Sequence, residues 1–346
     1  MTRARTGLVA LHSALIAILG CSDGRAILTV YSPHGREQLL AFEEWYEARR
    51  PDVDLQWVDM GSQEVLDRVR SEKANPQADV WYGGPAWFFS RAASEGLLEA
   101  YRPQWADAVA ADARGREDMY FGAYLTPVVI AYNSDAVTAE EAPKDWDDVL
   151  DPRWTGTILI RDPVASGTMR TIFGMIVERG LRESGDTAAG FEWLRRLDGQ
   201  TKEYVLNPAL LYQKLVRQEG VLTLWNLPDV LQLQDQGVPI QYVLPQSGTA
   251  IIVDAIAVVK GAKQPELARD FIEYVGSIEG QLRAARDLRR NIVRTDLPAD
   301  SLPDWLIRVT GELKSMPLDW DVIESRGREW IKYWDSHVRG SSGGRR

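Results

Sequence analysis

The triplet Ser166-Gly167-Thr168 sets two hydroxyls around a glycine where an extended run, 157–161, passes through a turn into a helical pattern over Thr168 to Arg179. The first N–H groups of a helix have no partner inside it, and a glycine lets a ligand approach the backbone, so the triplet has the makings of an oxyanion site. Plain helix capping by Ser166 or Thr168 is the competing role, and the two are compatible. Arg170 adds a bidentate grip on phosphate or carboxylate, or else lies exposed on the helix. Further along, Trp225 and Asn226 close a strand-like run at Pro228, the indole serving either the core or a ligand's flat face and the amide offering both donor and acceptor. Gly83 and Gly84, after the apolar run ADVWY, either turn backbone amides toward a ligand or make a tight turn only. Ser32 and His34 flank Pro33, and His34 either donates to an oxyanion or faces water. Asp254 interrupts an apolar run at 250–259, where a carboxylate must be solvated or paired; it either accepts from a ligand or closes an ion pair.

Other chemistries lack their residues. There is no G-x-S-x-G, H-E-x-x-H or Walker loop, and the three histidines, His12, His34 and His337, are too scattered to ligate one metal. Neither a cofactor nor an enzyme is expected, although carboxylate-only hydrolysis stays open. A formal charge of −10 argues against nucleic acid as a partner. It does not oppose a small anion, which local amides would hold. The count of 13 tryptophans is high; some belong to a core, and exposed indoles lining a cleft are a common grip on sugars and other flat faces.

The elements that must position these residues follow from periodicity. Extended runs at 26–32, 53–58 and 78–82 alternate with helical stripes at 36–50 and 62–74 and a helix running through Ala93, an order that predicts a parallel α/β sheet. Ligands of such sheets sit beyond the carboxyl ends of the strands, which brings forward the loops 32–35, 59–63 and 83–86. Two long extended runs, 120–133 and 250–260, bracket a second α/β block with helices at 168–179 and 187–197 and a strand at 221–225. They predict two lobes, one interrupted by the other. Helices over 264–275 and 321–337 follow, and the tail from Gly340 has no apolar residue. At the other end, Arg3 and Arg5 precede an apolar run from Leu8 to Leu19, then Gly20 and the only cysteine, Cys21. That order reads as an export signal ending in a lipidation site, with a plain signal peptide as the simpler version.

The lipobox-like Cys21, the opening TVYSPHGRE at Thr29 to Glu37, the pair ADVWYGGP and SGTMRTIF, and the run DAIAVVKGAKQPELARDFIEYV at Asp254 to Val275 together resemble the bacterial extracellular solute-binding proteins of ABC importers. The likeness is to the periplasmic type II class, nearest the branch with ferric, thiamine, sugar-phosphate and phosphonate binders. It implies a two-lobed α/β fold with two extended hinge crossings and no catalysis. The expected organisation is a lipoprotein signal at 1–20, a first lobe at 21–125, a second at 126–252, a return crossing with C-terminal helices completing the first lobe at 253–339, and a disordered tail at 340–346. Expected partners are a small-molecule ligand, an ABC permease and, through a lipid anchor, the membrane of the cell envelope; the protein is expected to be a monomer. A sensor presenting its ligand to a membrane receptor is a further possibility. Ferric relatives place paired tyrosines near the position of Trp225. Their absence here orders the ligands as phosphorylated or phosphonate-bearing organics first, then an unphosphorylated sugar, then ferric ion.

Overall fold

Branched and aromatic runs form β1 (Ala26–Ser32), β2 (Val53–Asp59) and β3 (Val80–Pro85), which alternate with α1 (Arg36–Arg49), α2 (Ser62–Ser71) and α3 (Ala86–Ser94) in a computed structural model that describes residues 24–341. The apolar N-terminal run expected to be an export signal, and Cys21, lie outside the described residues. β1 pairs in parallel with both β2 and β3. Because helices cover both faces of this sheet, successive side chains enter two different cores. Leu28, Val30, Val80 and Tyr82 pack with Phe42 and Tyr46 of α1. Tyr31 and Trp81 turn the other way, onto Val65 and Leu66 of α2 and Phe88 and Phe89 of α3.

After the short β4 (Leu98–Glu99), the 13-residue strand β5 (Phe121–Asn133) carries the chain out of this lobe. The second block then runs β6 (Ile158–Arg161), α4 (Gly167–Ser184), α5 (Ala188–Gln200), β7 (Thr201–Val205), α6 (Pro208–Val216), β8 (Leu222–Asn226), α7 (Leu227–Asp235) and β9 (Ile240–Val243). The return is β10 (Ile251–Val259), followed by α8 (Pro265–Gly276), α9 (Ile278–Leu288), β11 (Asn291–Ile292), α10 (Asp304–Glu312) and α11 (Trp320–His337). β5 and β10 are the two crossings. The first half of β5 pairs antiparallel with β10, from Phe121↔Ile256 to Pro127↔Ile251, and its second half pairs with β8 and β9. The strand order is β2-β1-β3-β10-β5-β8-β6-β7. β5 thus belongs to both lobes.

The C-terminal helices divide between the lobes. Phe271, Ile272 and Val275 of α8 and Ala284 of α9 enter the core shared with α1. Trp305 and Val309 of α10 and Ile323, Trp330 and Trp334 of α11 instead join the core of the second lobe, where Trp334 meets Phe173 of α4 edge-on. This corrects the expectation that these last helices complete the first lobe. The apolar stripe of α11 was visible in the sequence, but a stripe does not say which core it covers. Gly340, expected to open a disordered tail, is held: its amide donates to Asp198 at 3.0 Å. Residues 342–346 lie outside the described residues. Among the described residues no helix is long and apolar enough to cross a membrane.

Candidate functional site

The carboxyl ends of the parallel strands open on a cleft of about 700 Å³ between the lobes. On the first-lobe side stand His34, from the turn after β1, Gly61 and Ser62, which start α2, and Gly84 after β3. His34 is buried. Its backbone N–H donates to Ser32 Oγ at 3.2 Å, and its ring lies edge-on to Tyr82. Burial, and then the charge of Arg290, hold the imidazole well below its usual value of 6.5, so it is neutral near pH 7. Ser32 and Gly83 lie behind this wall rather than in it: Ser32 is fully buried, and His34 fills the space in front of Gly83. This corrects their assignment to the cleft surface.

On the second-lobe side the wall is made of helix starts. Ser166, Gly167 and Thr168 line the cleft, and Ser166 Oγ accepts from the Met169 amide at 3.2 Å, capping α4. Asn207 caps α6 through the Leu210 amide, and Asn226 caps α7 through the Asp229 amide at 2.9 Å. Proline follows each of these two caps within the first turn, where its fixed φ suits the helix and no amide is missed. Trp225 is 4% exposed, with its indole N–H shared between Tyr212 Oη and Asp229 Oδ2. It belongs to the core and also presents an edge to the cleft. Arg170 does not line the cleft. Its guanidinium donates to the Pro163 and Val164 carbonyls and to Gln63 Oε1, and desolvation holds its pKa down to about 10.

The floor comes from the crossings. Asp254 on β10 accepts from the Gly84 amide at 3.1 Å and from Thr126 Oγ1 of β5 at 2.5 Å, tying both crossings to the end of β3. Burial raises its pKa, against the opposing pull of those hydrogen bonds and of Arg290. No ion pair within 4 Å forms at Asp254 among the described residues; neutral donors hold it. The walls also touch directly: Gln236 donates to Glu37 at 2.7 Å, and Arg289 makes a two-point pair with Asp235, both bonds 2.6 Å.

The model of the family described as bacterial extracellular solute-binding protein matches residues 75–325. The chain belongs to this family. As a solute-binding protein it is 26% identical over 315 residues, 90% of its own chain and 86% of the other, to a Sinorhizobium fredii protein named as an ABC transporter periplasmic-binding protein, y4fP. A Salmonella typhimurium protein named for binding 2-aminoethylphosphonate is 24% identical over 329 residues, 91% of this chain and 93% of that one. The solved structure of AfuA from Actinobacillus pleuropneumoniae, with exogenous fructose-6-phosphate bound, superposes with a TM-score of 0.79 at 25% identity, covering 92% of this solute-binding protein and 99% of AfuA. The two-lobed type II architecture and the absence of catalysis follow from the family.

The cleft of this solute-binding protein is rich in donors. No group of three or more His, Cys, Asp or Glu side chains among the described residues is arranged around a metal. Sequence reasoning missed several cleft residues. Arg161 ends β6 and was within reach of the carboxyl-end rule, and Asn207-Pro208 is a helix-start signal that went unread. Tyr212 and Arg290 had no local signal, because only the fold of distant segments brings them beside Asp229, which belongs to the same helix start as Asn226.

Proposed function

We propose that this protein captures a small anionic organic solute, one carrying a phosphoryl or phosphonyl group, and delivers it to an ABC permease. The observation that carries this reading is the convergence of helix starts. The N-termini of α1 and α2 from the first lobe and α4, α6 and α7 from the second all border one cleft. Each presents the positive end of a helix dipole, an arrangement suited to an oxyanion. In this reading Ser166, Gly167 and Thr168 meet the charged group, and Gly84, whose amide donates to Asp254, lets the solute come close to the backbone. Asn226, Trp225 and the edge of His34 shape the remainder, and Asp254 accepts from a ligand hydroxyl or holds the hinge. Ser32, Gly83 and Arg170 support the wall from behind. The same reading places the protein at the cell envelope as a monomer anchored through Cys21; denatured mass spectrometry should find acyl mass on the full chain and none on Cys21→Ala.

Calorimetric titration with fructose 6-phosphate and 2-aminoethylphosphonate beside fructose and ethanolamine tests the ligand class. Binding confined to the phosphorus-bearing compounds is expected. Fructose binding as tightly as its phosphate, or ferric ion preferred to all four, contradicts the proposal.

A further inference from the structure

Among the described residues, the arginines Arg161, Arg170 and Arg290 are 7%, 8% and 5% exposed. Burying a guanidinium is costly unless its donors find acceptors. Arg170 is satisfied by two carbonyls and the Gln63 amide oxygen. The other two are not. Arg161 makes one hydrogen bond to the protein, from Nη1 to the Val205 carbonyl at 3.3 Å, and among the described residues no carboxylate lies within 4 Å of it. The Arg290 guanidinium makes none; its one ionic contact is Nη2 to Asp229 Oδ1 at 3.5 Å, and its Nε is buried without a partner. Each guanidinium carries five N–H donors. Of all those donors, one makes a hydrogen bond within the fold and one a longer ionic contact.

Both side chains line the cleft, from opposite lobes: Arg161 at the carboxyl end of β6, and Arg290 where the chain leaves α9. The carboxylates beside them are in the opposite condition. Asp229 Oδ2 already accepts from Tyr212, Trp225 and Asn226 at 2.7 to 3.0 Å, and Asp254 from Gly84 and Thr126. The carboxylates beside the two guanidiniums are therefore already met by other donors, and a bound solute has to bring the acceptors for Arg161 and Arg290. One carboxylate fills a single fork. A phosphoryl or phosphonyl group has three terminal oxygens and two charges, enough to meet forks from two sides.

We propose that Arg161 and Arg290 are the charge-reading residues of the cleft, one from each lobe, and that they select a dianionic phosphoryl or phosphonyl head group over a single carboxylate or an uncharged sugar. This rests on the anion-binding reading given above and assigns its specificity to two side chains.

The test uses thermal unfolding of the full chain with inorganic phosphate as the probe, against acetate and chloride at matched ionic strength, at about pH 8, where phosphate is mainly dianionic. The unsubstituted protein should melt higher in phosphate than in either control. In Arg161→Gln and in Arg290→Gln the phosphate concentration at half-effect should rise at least about tenfold, with no lower melting temperature in chloride, since each change removes a poorly paired buried charge. Where a glutamine variant melts lower, the lysine variant decides, because it keeps the charge and loses the fork; a partial phosphate effect supports the assignment and an undiminished one overturns it. An undiminished phosphate effect in both glutamine variants removes the two arginines but leaves the anion site. Acetate acting as strongly as phosphate overturns the dianion preference. No phosphate effect in the unsubstituted protein overturns the anion site and the arginine pair together.

Discussion

His34 and Gly83 are fitted to each other. A Cβ on Gly83 would lie 2.3 Å from His34 Nε2, and Gly83 has a φ of +95°, which side chains rarely adopt. The sequence marked both residues as ligand candidates, yet their mutual packing depends on β1 and β3 being adjacent, which no local pattern states. The pKa of His34 has a consequence for stability. The unfolded chain takes up a proton near pH 6.5 while the folded chain does not, so the stability His34 contributes is present above that pH and is lost as pH falls through the folded value. The loss approaches about 1.4 kcal/mol per pH unit once only the unfolded state is protonated. His337 is exposed and His12 lies outside the described residues, so His34 is the buried histidine among the described residues. Melting curves from pH 7 to pH 5 should therefore fall less steeply for His34→Gln than for the unsubstituted protein. Parallel slopes would mean that the imidazole is not held neutral.

The start of α4 combines a cap, a glycine and a crossing of the cleft. A Cβ on Gly167 would meet Ser62 Oγ at 2.7 Å and Pro85 Cδ at 2.8 Å, so glycine is what lets α4 close on the first lobe. Gly167→Val should weaken phosphate binding more than Ser166→Ala does, by holding the walls apart as well as blocking the amides. Ser166→Ala should weaken it about tenfold and cost about 1 kcal/mol of stability as a lost cap. Titrations beside melting curves separate the two effects, and undiminished affinity in both variants would take this loop out of the site. Elements with strong periodicity were legible from the sequence: the alternating strands and helices of the first lobe, both crossings, α4 and α11. β7 was not, because its residues TKEYV are only half-buried at the end of the strand order and mix charge with aromatics. The attachment of α11 to α4 was also hidden, since it depends on Trp334 meeting Phe173 across 161 residues of chain.

Across the whole molecule, β5 and β10 run between the two cores, an arrangement that permits hinge closure on a solute. The two-lobed plan was legible because long extended runs are conspicuous, whereas the charge that reads the solute was not, because Arg161 and Arg290 stand 129 residues apart. The account as a whole claims that donors from both lobes hold one oxyanion-bearing organic molecule. Native mass spectrometry of the full chain, purified from a bacterial host under mild conditions, tests this most directly. The predicted spectrum has a noncovalent adduct, released on denaturation, whose accurate mass and fragmentation contain a phosphate or phosphonate. An adduct of iron, or of a sugar without phosphorus, would contradict the account.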